Sequence, residues 1–97
     1  MKGNGEIIKG FYYWNNEPWK GDRYEGDFRN GKFEGKGIYY YNNCDRCEGD
    51  WKNGKKEGKG IFYYNNGDRE MGDWKENKKI GRHVILSKNG EIKTENY

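Results

Sequence analysis

The chain has 97 residues, a length that sets the expectation at one domain. Leu, Ile, Val and Phe together number only 13 and Ala is absent, whereas Trp, Tyr and Phe number 17, so a helical bundle with an aliphatic core is excluded. Nineteen Lys and Arg against 16 Asp and Glu leave a net charge of +3, too mild a surplus for a nucleic-acid binder, and no apolar run reaches membrane-spanning length.

The N-terminal MKGNGEIIKG lacks the continuous apolar stretch of a signal peptide, and the expected location is cytoplasmic, with attachment to a membrane or the cytoskeleton as a variant. The first run rich in aromatic and β-branched residues is Ile7–Trp14. Then come Tyr24–Arg29 and Lys36–Tyr41, Arg46–Lys52 and Lys59–Tyr64, Arg69–Lys75 and Arg82–Ser87, and finally Glu91–Asn96. Short runs of this kind, separated by Asn, Gly and Asp, are the signature of hairpins. NNGD at Asn65–Asp68 and KNGE at Lys88–Glu91 predict tight turns, because Asn and Gly accept the positive φ that such turns demand. Within each pair, the segment NGKxxGKG reads as a longer connection.

The pairs recur every 23 residues. Residues 24–46 and 47–69 agree at 17 of 23 positions, which makes them copies of one unit. Residues 70–92 keep only nine identities to the second copy and read as a degenerate terminal unit. Upstream, KGFYYWNN (Lys9–Asn16) matches KGIYYYNN (Lys36–Asn43), with an insertion at Glu17–Lys20, so residues 1–23 count as a partial repeat. The predicted fold is all-β: one domain over residues 1–97, a single elongated antiparallel β-meander of about eight strands built from 23-residue hairpin repeats, with a last strand running to 97.

Alternation assigns faces, since successive side chains of a strand point opposite ways. Tyr24, Gly26 and Phe28 share one face, as do Cys47, Gly49 and Trp51, while Glu25, Asp27, Glu48 and Asp50 take the other. The return of glycine at Gly26, Gly49 and Gly72 predicts a neighbouring ring lying flat over bare backbone. YEGDFRNGKFEGKGIYYYNN and CEGDWKNGKKEGKGIFYYNNGDR resemble MORN (membrane occupation and recognition nexus) repeats: an aromatic, Glu-Gly, an acidic residue, an aromatic, then Asn-Gly and Gly-x-Gly. The resemblance covers roughly residues 9–92. Cys47 and Glu70 stand where Tyr is usual, Asn77 replaces a turn Gly, and His83 replaces the second glycine of Gly-x-Gly. The resemblance implies a non-enzymatic scaffold or adaptor, and the family name suggests membranes.

Candidate chemistry is sparse: one His, one Ser and one Thr. His83 sits where a repeat position has drifted from Gly, and is expected as a surface or end-cap side chain. Glu25 with Asp27 has the composition of an acid–base pair but recurs as Glu48 with Asp50, which argues for a solvated face. Cys44 and Cys47 form a CxxC, yet two thiols cannot close a four-ligand metal site, and each fills a slot held elsewhere by Gly or Tyr. No catalytic residue, cofactor or metal is expected.

Charge is sorted along the repeat. Windows 29–36, 52–59 and 75–82 carry a balance of +8, and windows 22–27, 45–50 and 68–73 a balance of −6, so a meander would be basic along one long side and acidic along the other. The leading expectation is a protein partner docked on an aromatic face or groove through Tyr39, Tyr41, Phe62 and Tyr64 or their opposite-face neighbours Tyr40 and Tyr63. The alternative is an anionic or phosphoinositide membrane, or an acidic protein, held by Lys52, Lys55, Lys56, Lys59, Lys75, Lys78 and Lys79. Carbohydrate or choline recognition ranks below both, because the aromatic hairpin repeats that serve it lack EGDW with GKG. Two open sheet edges leave a monomer and an edge-paired homodimer both open, the apolar IIKGFYYW being the more adhesive edge.

Overall fold

The computed structural model describes residues 6–97, and among them there is no helix. The strands are β1 (Ile8–Tyr13), β2 (Arg23–Arg29), β3 (Lys32–Tyr40), β4 (Arg46–Lys52), β5 (Lys55–Tyr63), β6 (Arg69–Lys75), β7 (Lys78–Leu86) and β8 (Ile92–Asn96). They form one sheet in the order β1 to β8, every neighbour antiparallel, spanning 50 × 27 × 20 Å. This is the open meander expected from the repeat.

The strands of each unit are longer than their composition suggests. NGKxxGKG is no loop: β2–β3, β4–β5 and β6–β7 join through two-residue turns at Asn30–Gly31, Asn53–Gly54 and Glu76–Asn77. Both central residues have positive φ in each (53° and 78°, 52° and 85°, 49° and 72°), the type I′ geometry whose twist matches that of the flanking strands. The surplus residues are absorbed by a bulge. Gly26 faces Gly37 and Phe28 faces Phe33, so Asp27 alone stands against Glu34, Gly35 and Lys36. Gly35 adopts φ 84° and Gly58, its counterpart, φ 89°. A bulge bends its strand, and here the tip of the hairpin returns over the base. Phe33 stacks on Tyr24 with ring centroids 3.7 Å apart and planes 6° from parallel.

Side-chain carboxylates pin each hairpin to the next. On one long side Asp22 Oδ1 accepts from Asn42 N (2.8 Å), Asp45 Oδ1 from Asn65 N (2.7 Å) and Asp68 Oδ1 from Lys88 N (3.0 Å). On the other, Glu34 accepts from Asn53 N and Glu57 from Glu76 N, both at 3.2 Å. Much of the repeating acidity is therefore structural, supplying acceptors to turn N–H groups that the sheet leaves unpaired.

The buried set is a thin row down one face: Tyr24, Cys47, Trp51 and Trp74, with Asp22, Glu70 and His83. Large rings in edge-on and stacked contact replace the missing aliphatic core. Tyr24, Phe28, Phe33, Tyr39 and Trp51 touch one another, and Tyr41, Phe62 and Tyr64 extend the row.

Candidate binding surfaces

Strand register turns the repeat into rows of side chains that cross the sheet. Opposite the aromatic row, Tyr13, Arg23, Tyr40, Arg46, Tyr63 and Arg69 face one another from β1 to β6. The Arg23 guanidinium lies 4.0 Å from the Tyr40 ring centre and that of Arg46 3.8 Å from Tyr63, cation–π contacts that fix both partners. A second row holds Glu25, Ile38, Glu48, Ile61, Met71 and Val84. A third is a ladder of ion pairs: Lys9–Asp27 at 2.8 Å, Lys36–Asp50, and Lys59–Asp73 at 3.6 Å. The Lys9 hydrogen bond holds the Asp27 carboxyl below the usual carboxylate range.

Between the second and third rows runs a line of glycines: Gly26, Gly37, Gly49, Gly60 and Gly72, each opposite the next. These rows enclose a groove of about 880 Å³, with Ile38, Ile61 and Met71 on one wall and Lys36, Lys59 and Asp73 on the other. The expectation of a ring over each mid-strand glycine is met only in part. A Cβ on Gly72 would lie 2.3 Å from the His83 ring, but one on Gly26 or Gly49 would strike backbone, 2.5 Å from Gly37 Cα and 2.4 Å from Lys59 O. Tyr24 covers Gly37 instead, where a Cβ would sit 2.0 Å from its hydroxyl. The bulge moves the ring diagonally across to the neighbouring strand.

The candidate tyrosines divide between the faces. Tyr39, Tyr41, Phe62 and Tyr64 lie in the aromatic row and pack the interior, and burial raises the Tyr39 and Tyr41 hydroxyls above the ordinary phenol range. Tyr40 and Tyr63 stand on the groove face under their arginines. Ile38, Ile61 and Met71 are not among the residues expected from the aromatic pattern of the sequence. The signal that finds them is alternation, which places the Ile of GKGI two residues from an outward Lys and two from an outward Tyr.

The basic candidates divide as well. Lys52 faces Lys55 and Lys75 faces Lys78 at the ends of two hairpins, and Arg29 faces Lys32 at a third, so one long side does carry a row of cations. Lys59 belongs to the ion-pair ladder. Lys56 and Lys79 turn inward. They occupy the position of Phe33: Lys56 Nζ sits 4.9 Å from the Trp74 ring centre, and burial lowers its pKa.

One side chain contradicts the sequence reading outright. His83 is not at the surface but fully buried. In the first unit Tyr24 fills the interior over Gly37; in the third the large and small positions exchange, with Glu70 in the place of Tyr24 and the His83 ring over Gly72. Just as Tyr24 Oη donates to Asp27 O at 2.9 Å, His83 Nε2 lies 2.9 Å from Asp73 O. Glu70 Oε1 accepts from Tyr64 Oη (2.9 Å) and Lys79 Nζ (3.0 Å), and Oε2 from Tyr97 Oη (2.8 Å). His83 Nδ1 is 3.0 Å from Oε2 without the alignment of a hydrogen bond. Burial opposes the Glu70 charge, but the donors from Lys79, Tyr97 and Tyr64 outweigh it and leave the carboxyl below its ordinary range.

The CxxC separates into an exposed Cys44 and a buried Cys47, both free. Burial pushes the Cys47 thiol up to about 11, so it stays protonated and unreactive near neutrality. Among the described residues no group of three or more His, Cys, Asp and Glu is placed to hold a metal ion, and no helix is long and apolar enough to cross a membrane.

A family model for the MORN repeat matches residues 24–45 and 47–69. No curated protein matches the chain.

Proposed function

This chain is a MORN repeat protein, of a family that is generally non-enzymatic and typically provides scaffold or membrane-binding modules, and we propose that it docks a protein segment, extended or helical, in the glycine-floored groove. The observation that carries this reading is the groove itself. Ile38, Ile61 and Met71 line a concavity of about 880 Å³ whose charged wall is already neutralised by its own ion pairs. A partner entering it buries these apolar side chains, and a basic group on that partner would meet the Glu25 and Glu48 carboxylates that line the same wall. Tyr40 and Tyr63, held by Arg23 and Arg46, supply rigid rings beside the groove.

The test is selection of peptides from a displayed library against the whole chain, followed by affinity measurement. Ile38→Asp with Ile61→Asp should weaken the selected peptides by at least about tenfold, whereas Lys52→Glu with Lys75→Glu should leave them within about twofold. Equal binding to wild type and the Ile38/Ile61 variant would refute the groove.

A second reading rests on the cation pairs Arg29–Lys32, Lys52–Lys55 and Lys75–Lys78 at successive hairpin ends. Like charges directly across a strand pair repel, and an anionic surface relieves that cost. Clusters two strands apart, about 10 Å, suit a lipid headgroup surface. Phosphatidylserine vesicles should then pellet the protein at low salt and release it at high salt. Failure to pellet at low salt rejects this reading.

A further inference from the structure

Among the described residues, strand β1 is the outermost strand on its side and pairs with β2 alone, so its other edge presents N–H and C=O groups that no described strand takes up. Its side chains are unusually apolar for an edge. Ile8, Phe11, Tyr12 and Tyr13 are 62%, 68%, 53% and 55% exposed, and its one charge, Lys9, is occupied by Asp27. The opposite edge, β8, is protected in the usual way by Lys93, Thr94, Glu95 and Asn96, with Ile92 its sole apolar residue.

The register of the sheet says what fits against β1. In five successive pairings a glycine faces a glycine: Gly10–Gly26, Gly26–Gly37, Gly37–Gly49, Gly49–Gly60 and Gly60–Gly72. The same rule applied at the open edge sets Gly10 against Gly10 of a second copy, with a two-fold axis between them. Lys9 then faces Phe11 and Ile8 faces Tyr12, on both sides of the axis. The first pair repeats the cation-beside-ring arrangement of Arg23 with Tyr40, and the second buries two exposed apolar side chains. Both copies keep their aromatic faces on one side, and the two-fold closes the assembly. Pairing β1 with β8 instead would set apolar residues against Lys93 and Glu95 and build an open chain of subunits.

We propose that the protein forms a symmetric homodimer through β1, joined antiparallel about Gly10, which extends the sheet and the glycine line across the axis. Sedimentation of the full chain should give twice its 11.6 kDa mass. Phe11→Lys, which sets a like charge against Lys9 of the second copy, should keep the β-sheet circular dichroism of wild type and raise the dimer dissociation constant about tenfold or more. Register is read by cross-linking in a Cys44→Ser background. A Cβ at Gly10 lies 3.6 Å from the Phe28 ring, an ordinary contact, so Gly10→Cys is tolerated. Cysteines at position 10 would face each other with Cα atoms about 4.5–5.5 Å apart, within disulfide reach. Mild oxidation should then link the Gly10→Cys chains and leave Tyr13→Cys chains unlinked. A monomer at high micromolar concentration, a dimer indifferent to Phe11→Lys, or equal cross-linking at positions 10 and 13 overturns the proposal.

Discussion

Tyr24 with Gly37 and Glu70 with His83 fill equivalent places in the first and third units, and they show how one large ring and one bare backbone position can trade sides of a strand pair. The fit is unforgiving where the ring is stacked. Gly37→Ala would drive a methyl to 2.0 Å from the Tyr24 hydroxyl, and Tyr24 cannot retreat because Phe33 lies flat against it. We expect a loss of about 3 kcal/mol in urea unfolding, against about 1 kcal/mol for Gly60→Ala, where the nearest atom is Trp74 Nε1 at 3.1 Å. Glu70 gives a pH dependence with a definite sign. Its folded pKa lies below the ordinary 4.5, so its contribution to stability is present above that value and is lost as pH falls through the folded pKa. Asp27 shifts the same way, held down by Lys9. Unfolding midpoints should therefore fall on the acid side of about pH 4.5, and Glu70→Gln should flatten that limb without abolishing it. The sequence marked Cys47, Glu70 and His83 as departures from the repeat. It did not reveal that two of them compensate each other, because compensation depends on which side chains meet across the strands.

At the scale of elements, the turns were legible in kind and misjudged in extent. Gly67 and Gly90 take the positive φ expected of NNGD and KNGE, but in turns longer than the tight ones expected there; the tight Asn-Gly turns fall instead within NGKxxGKG, where the glycines of GKG serve a bulge inside continuous strands. Composition alone does not separate the two cases, since a bulge and a loop both call for glycine. The longer turns follow one design: Cys44, Gly67 and Gly90 adopt φ 77°, 100° and 91°, and each donates its N–H back across the turn, to Tyr41, Tyr64 and Ser87 respectively. Only Cys44 pays a Cβ penalty there. Cys44→Gly should raise stability by about 0.5–1 kcal/mol, the relief of left-handed strain less the added freedom of the unfolded chain. The same reasoning applies to Glu76, at φ 49° in a turn where the first two units use Asn. Glu76→Asn should stabilise by up to about 0.5 kcal/mol, and denaturation midpoints measure both changes.

For the whole molecule, stability resides mainly between neighbouring hairpins, because each strand hydrogen-bonds to the strands beside it and its packing reaches little further, as in the Tyr24–Trp51 contact from β2 to β4. Such a chain approximates a sum of unit and interface terms. Removing residues 47–69 brings Gly72 opposite Gly37 and Glu70 opposite Tyr39, a pairing equivalent to the one now made by β5 and β6. The shortened protein should fold with lower stability and a urea m-value smaller by roughly a quarter, in proportion to the surface lost. Aggregation or an unfolded spectrum would contradict nearest-neighbour stability. By itself the sequence determined the repeat, the all-β meander, the chain order of its strands, the chemistry of its turns and the sorting of its charge, because spacing and alternation are local properties of the chain. Only the tertiary structure decided that Lys56, Lys79 and His83 turn inward, that much of the acidity holds turns together, and that the open groove lies on the face away from the aromatic row. Those outcomes depend on register and on a bulge, which choose the neighbours of each side chain and so decide what is left facing water.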